Sequence, residues 1–317
     1  MNMKSKDKIV VIMGATGSGK SSLSVDLALH FQAEIINSDK MQFYDGLNIT
    51  TNQSTMAERR GVPHHLLGEL NPEEGEVTAS EFRNVAAQAI SGITHRKKLP
   101  ILAGGSNSYI HDLLANSFDP ENYPFSPNGS ICSGLRYDCC FIWIDVARSV
   151  LFEYLSLRLD KMMKTGMFEE IAEFHRAKKA PKEPMGIWKA IGVQEFDGYL
   201  KTYSGMGKWD LVRKKAYDKA VRAIKENTFQ LTRDQIKKIK KLRAAGWDIR
   251  KVDATSTFKE AIRAAKEGKG GDEMQRKIWN KQVVEPCVEM VKRHLEQPID
   301  YSSEIDFGSF FLKSVIY

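Results

Sequence analysis

An α/β fold is what this sequence predicts: a parallel sheet flanked by helices, with a smaller helical lobe attached. Three observations lead there. Short apolar runs recur, and they are apolar throughout rather than alternating, as strands covered on both faces should be. Helical patterns lie between successive runs, which implies a parallel sheet with right-handed crossovers. After Asp145 the alternation stops and helical periodicity takes over.

The first strand, 9–13 (IVVIM), enters a glycine-rich loop that opens a helix over 21–31. The second strand is 33–37 (AEIIN). A helix over 78–96 begins with Thr78-x-x-Glu81, a capping box in which hydroxyl and carboxylate satisfy free N–H groups. The third strand is 99–103 (LPILA). Residues 116–135 carry Pro120, Pro124, Pro127, Gly129 and Gly134 and read as an irregular linker. The fourth strand is 139–145 (CCFIWID), and 247–252 is a fifth. Helices are expected over 150–164, 168–178, about 208–245, and 272–296. The division that follows is a core over 1–150, completed by 243–317, and a helical substrate lobe over 151–242.

At 317 residues the chain can bury a substantial core in one or two domains. No apolar run has the length needed to span a bilayer, so no membrane partner is expected. The start, MNMKSKDK, has neither a signal peptide's apolar core nor a transit peptide's long Ser/Arg-rich helix. A removed transit peptide would leave the same start, so the cytoplasm and the plastid stroma both fit. Cys132, Cys139, Cys140 and Cys287 form no C-x-x-C pair, which argues for a reducing compartment. The net charge of +7 is concentrated: residues 211–251 hold 14 Lys/Arg against 4 Asp/Glu. That segment is either a solvated helix face or a surface for polyphosphate or nucleic acid.

Gly14-Ala15-Thr16-Gly17-Ser18-Gly19-Lys20-Ser21 matches G-x-x-x-x-G-K-[ST] between a strand and a helix, the context the pattern requires. It makes the expected sheet P-loop NTPase-like. The glycines let N–H groups turn toward an anion, the helix N-terminus adds partial positive charge, Lys20 adds a full one, and Ser21 can ligate Mg²⁺. The parts of a phosphate-cleaving engine are missing. The strand-end Asp145 is followed by Val146 and Ala147, not by a water-activating carboxylate, and no N-K-x-D marks a guanine site. Group transfer, or another use of the same cradle, remains. The second strand end, IINSDKMQFY, aims the carboxylate of Asp39 at this phosphate site, or spends it on a helix N-cap. Gly104-Gly105-Ser106-Asn107-Ser108, after the third strand, reads as a second wall of the site or as a plain turn and cap. His64 and His65 either contact phosphate or are structural.

Several stretches in order resemble the isopentenyltransferases that prenylate adenine: GATGSGKSSL, INSDKMQFYDGLNITTN, GVPHHLL, ILAGGSNSYI and RLDKMMKTGMFEEI, then AIGVQE and AIKENTFQLTRDQIKKIKKL. The resemblance covers most of the chain. It implies a loop that grips dimethylallyl diphosphate and a reaction that alkylates adenine N6. Asp39 matches the family's general base, and Arg158 its diphosphate-reaching arginine. Lys20, Thr16, the loop N–H groups and Mg²⁺ on Ser21 would stabilise the departing charge.

Within the family the acceptor is either an adenosine in tRNA or a free adenine nucleotide. Only the linker 116–135 stands where the tRNA enzymes carry a helical insertion, and Cys287 alone cannot make a C-terminal zinc finger. GGSNSYI, RYDCCFIWIDV and Lys40 resemble plant enzymes acting on free nucleotides, with ATP or ADP favoured over AMP. No nucleic-acid partner is then expected. Ser38, Lys40, Gln42, Ser106 and Asn107 are candidate contacts for the acceptor. Lys219, Arg222 and Lys225, on one helix face, are candidates for its outer phosphates, or are a solvated face. The alternatives are tRNA prenylation and a P-loop protein that binds nucleic acid through its basic helices.

Overall fold

The structure, a computed structural model, describes every residue apart from 1–5, 122, 179–180, 182, 204–209, 269–271 and 298–317. Its elements in chain order are β1 (Lys8–Gly14), α1 (Lys20–Phe31), β2 (Ala33–Asn37), α2 (Met56–Arg59), β3 (His64–His65), α3 (Ala79–His95), β4 (Leu99–Ala103), α4 (Asn107–Leu114) and β5 (Asp138–Asp145). There follow α5 (Arg148–Lys164), α6 (Met167–Ala177), α7 (Val193–Tyr203), α8 (Leu211–Ala244), β6 (Ile249–Asp253), α9 (Thr255–Glu267), α10 (Asp272–Trp279) and α11 (Glu285–Glu296). The strands form one sheet in the order β3-β2-β4-β1-β5-β6, and every pairing is parallel.

Period-2 alternation sorts each strand's apolar residues onto the two faces. Ile9, Val11 and Met13 of β1, with Phe141 and Trp143 of β5, lie in one core under α3, α4 and the second half of α8. Val10 and Ile12, with Cys140, Ile142 and Ile144, lie in the other under α1, the start of α5 and α11. A third core, from Leu159 to Ile224, belongs to the helical lobe. The helices α5 and α8 serve both parts. Leu151 and Leu155 of α5 pack on the sheet while Leu159 packs in the lobe, and α8 contributes Ile224 to the lobe and Ile239 to the sheet.

The five expected strands are present, with two corrections. A sixth, β3, pairs Ile35–Ile36 with His64–His65, and two residues are too few to show a period. The last strand begins at Ile249, not Trp247; the Trp247 ring instead packs 4.9 Å from Phe141 and its N–H donates to the Cys132 carbonyl at 3.0 Å. The capping box forms as expected: Glu81 Oε2 accepts the Thr78 N–H at 2.7 Å, and Thr78 Oγ1 accepts the Glu81 N–H at 3.2 Å. The helix expected over 272–296 is interrupted by a π turn, Asn280–Val284, just before Pro286, whose missing N–H cannot continue the regular ladder. The helices α2, α4, α7 and α9 were not anticipated. The expected start of α8 at 208, and the tail after 297, lie outside the described residues. Among the described residues, no helix is long and apolar enough to cross a membrane.

Candidate active site

The phosphate loop joins β1 to α1 at the carboxyl edge of the sheet. Gly17 has φ +74°, and a Cβ there would stand 2.6 Å from Leu155 Cδ2 and 3.4 Å from Arg158 Nη1. Glycine is what lets α5 press its arginine against the loop. Lys20 lies back over the loop, its ammonium donating to the Ala15 carbonyl at 2.8 Å. Burial pulls its pKa down to about 8; Asp39 opposes the shift and Arg158 adds to it. Ser18 is buried, and its hydroxyl has no hydrogen-bond partner. Ser21 is exposed in the first turn of α1, where its hydroxyl is a hard oxygen suited to Mg²⁺. Among the described residues no group of three His, Cys, Asp or Glu side chains gathers to hold a metal. Ser21 is the residue that would contribute to such a site.

Asp39 follows β2. Its Oδ1 accepts the Met41 N–H at 3.2 Å and so caps a short 3-10 turn, Lys40–Phe43. Its Oδ2 faces Gly105, 3.3 Å from where a Cβ on that glycine would lie. One oxygen thus makes the cap, and the other lies beside the second wall. Burial raises the Asp39 pKa, while Lys20, the Met41 N–H and Arg158 pull it back. Lys20, Asp39 and Arg158 come from three elements distant in sequence, and the fold brings them into one electrostatic cluster.

The second wall forms against this cluster. A Cβ on Gly104 would meet the Ser38 carbonyl carbon at 2.3 Å, so the backbone of the β4–α4 turn lies directly on the end of β2. Ser38 is fully buried with its hydroxyl unpartnered, and Asn107 is buried with its amide oxygen unpartnered. The Ser106 hydroxyl accepts the Lys40 N–H at 3.0 Å. The Lys40 ammonium pairs with Glu76 and lies 5.5 Å from the Tyr109 ring centroid. Gln42 turns its amide outward to the Thr51 and Asn52 carbonyls, at 3.0 and 3.2 Å. His64 bonds the Val62 carbonyl and His65 the Glu34 carboxylate, so both act structurally. Asp145 pairs with Lys251 at 2.7 Å.

Lys219 and Arg222 are exposed on the lobe half of α8, and Lys225 pairs with Asp160 at 2.8 Å. The same helix contributes a residue that the sequence reading missed. Gln235 is 6% exposed; its Oε1 accepts the Thr16 N–H at 2.7 Å and its Nε2 donates to the Gly105 carbonyl at 3.1 Å. Trp279 was missed too. A Cβ on Gly19 would stand 2.7 Å from its Cη2, and its indole N–H donates to Asp26 of α1 at 2.9 Å. The available signal for Gln235 was a polar residue on the buried stripe Ile224, Thr232, Gln235, Ile239, Leu242.

A cation cradle, a carboxylate beside it and a backbone wall thus share one end of a parallel sheet. The family model described as IPP transferase matches residues 42–125 and 121–242. Adenylate isopentenyltransferase 4 of Arabidopsis thaliana is 80% identical over 303 residues, covering 94% of this chain and 95% of that protein. The adenylate isopentenyltransferase of Humulus lupulus is 49% identical over 301 residues, covering 90% of each. A solved structure of a eukaryotic dimethylallyltransferase acting on tRNA superposes with a TM-score of 0.72 at 24% identity, covering 93% of this chain and 81% of the other. A tRNA isopentenylpyrophosphate transferase from Staphylococcus epidermidis gives 0.64 at 24% identity, covering 87% and 99%. These two share the fold. The chain belongs to the IPP transferase family and stands with its plant adenylate isopentenyltransferases.

Proposed function

We propose that the protein transfers the dimethylallyl group of dimethylallyl diphosphate to N6 of a free adenine nucleotide, ATP or ADP before AMP, as the first step of cytokinin biosynthesis. The observation that carries this is Asp39, a carboxylate with one oxygen free, beside the Lys20–Arg158 cation pair. The exocyclic amine attacks the allylic carbon. The C–O bond to diphosphate breaks, and its electron pair leaves with the diphosphate. The N6 proton passes to Asp39, whose raised pKa makes it the stronger base. Lys20 and Arg158 neutralise the charge that builds on the leaving group, and the loop preorganises them to do so. Mg²⁺ bound at Ser21 would add a further positive charge to the diphosphate.

The names of the curated relatives support a free-nucleotide acceptor. For the acceptor's phosphates, Lys40, next to Asp39 in sequence and bonded through its N–H to Ser106, is the leading candidate cation. Lys219 and Arg222 lie 16 and 13 residues before Gln235, roughly 24 and 20 Å along the helix, and would serve only a long phosphate tail. Residence in the cytoplasm or plastid stroma accords with this reading. The test is incubation with labelled dimethylallyl diphosphate and, separately, ATP, ADP, AMP and an adenosine-bearing anticodon stem-loop. Prenylated ATP or ADP is expected first. Label entering only the stem-loop would transfer the assignment to tRNA, and no product from any acceptor would end it.

A further inference from the structure

We propose that Gln235 is a positioning residue that fixes the distance between the phosphate loop and the carboxylate base. The proposal rests on the reading of the site given above, in which the loop holds the donor and Asp39 serves the acceptor. The amide of Gln235 spans the two halves. Its oxygen takes the Thr16 N–H on the donor side, and its nitrogen gives a proton to the Gly105 carbonyl on the acceptor side. Because one partner can only donate and the other can only accept, the orientation of the amide is fixed.

The acceptor half is the place where Asp39 sits. A Cβ on Gly105 would be 2.5 Å from Gln235 Nε2 and 3.3 Å from Asp39 Oδ2, so all three crowd one point. Gln235 is itself held firmly, its own carbonyl accepting the Asn107 amide at 3.1 Å from the start of α4. The helix that carries it is the 34-residue α8, whose far half lies in the lobe. A rigid rod thus sets the loop, the wall and the lobe in one register. Substrates held on opposite sides of this strut react only if their separation is kept, and an error of about 1 Å can cost on the order of 10²-fold in rate.

Two variants test this. Gln235→Met keeps the length and loses both bonds. Its kcat should fall between about 10- and 100-fold, with the dissociation constant for inorganic pyrophosphate within about threefold of wild type. Gln235→Glu keeps the bond to Thr16, loses the one to Gly105 and adds a negative charge beside Asp39. The groups facing Asp39 are Lys20 from α1 and Arg158 from α5, both cationic, so the added carboxylate opposes them. The acid limb of the kcat–pH profile should then move to higher pH, which shows that position 235 faces the base. A Gln235→Met enzyme with kcat within twofold of wild type would overturn the proposal. Should that variant not fold, a Gln235→Asn enzyme, whose shorter amide cannot span Thr16 and Gly105, would do so if its kcat stayed within twofold of wild type. Wild-type protein that prenylates no acceptor would instead sink the functional reading beneath it.

Discussion

Asp39 spends one carboxylate oxygen on the Met41 N–H and turns the other toward Gly105. Asparagine keeps the cap and cannot take a proton. Asp39→Asn should therefore lower kcat by about 10²–10⁴-fold and leave pyrophosphate binding within a few-fold, measured by turnover and by calorimetry. Equal loss of both would make the residue a structural cap. Lys20 gives a prediction with a sign. Its pKa in the free protein is about 8, below the ordinary 10.5, so the folded state holds this proton less tightly than the unfolded chain does. The lysine opposes folding below pH 8, and the penalty fades as pH rises toward 10.5. A bound diphosphate raises the pKa again. Binding at about pH 9 should thus take up a proton, and affinity should fall as pH rises above 8; calorimetry in buffers of different ionisation enthalpy reads both. The loop was legible in the sequence because phosphate chemistry constrains local spacing, whereas the base role of Asp39 came from the family resemblance. Gln235 was not, since its partners lie 219 and 130 residues away and no local pattern links them.

At the scale of elements, the strands could be read wherever both faces were covered. Continuous apolar runs marked β1, β2, β4 and β5, whereas β6 (Ile249–Asp253) has three exposed residues, and its boundary was missed by two positions. The helix α4 was hidden by short length and by Ser106-Asn107-Ser108, residues that read equally as a turn. The interruption before Pro286 has a functional side. The π turn begins directly after Trp279, the side chain that backs Gly19 of the phosphate loop. Trp279→Ala would empty the space behind that glycine. We expect about a tenfold weaker pyrophosphate affinity and a loss of roughly 3–5 kcal/mol in stability, the range for buried Trp→Ala. Trp279→Phe keeps the ring and loses the bond to Asp26, and should lie between the two. Unchanged pyrophosphate affinity in a folded Trp279→Ala protein would show that the ring does not support the loop.

For the whole molecule, the α/β class followed from the alternation of strand and helix, and the lobe from the change after Asp145. How the two parts share α5 and α8 was not in the pattern, because amphipathicity tells that a helix is covered and not by which neighbour. Glu170 of α6 shows such a join: its carboxylate accepts the Ile49 and Thr50 N–H groups at 2.8 and 2.7 Å, tying the lobe to the segment after Asp39. The placement of Trp279 reaches further still, into the order in which the chain is made. The phosphate loop leaves the ribosome 260 residues ahead of the indole that backs it. At about 5–20 residues per second the loop waits roughly 13–50 s for its support. The backing of that loop cannot be completed until Trp279 has followed it out.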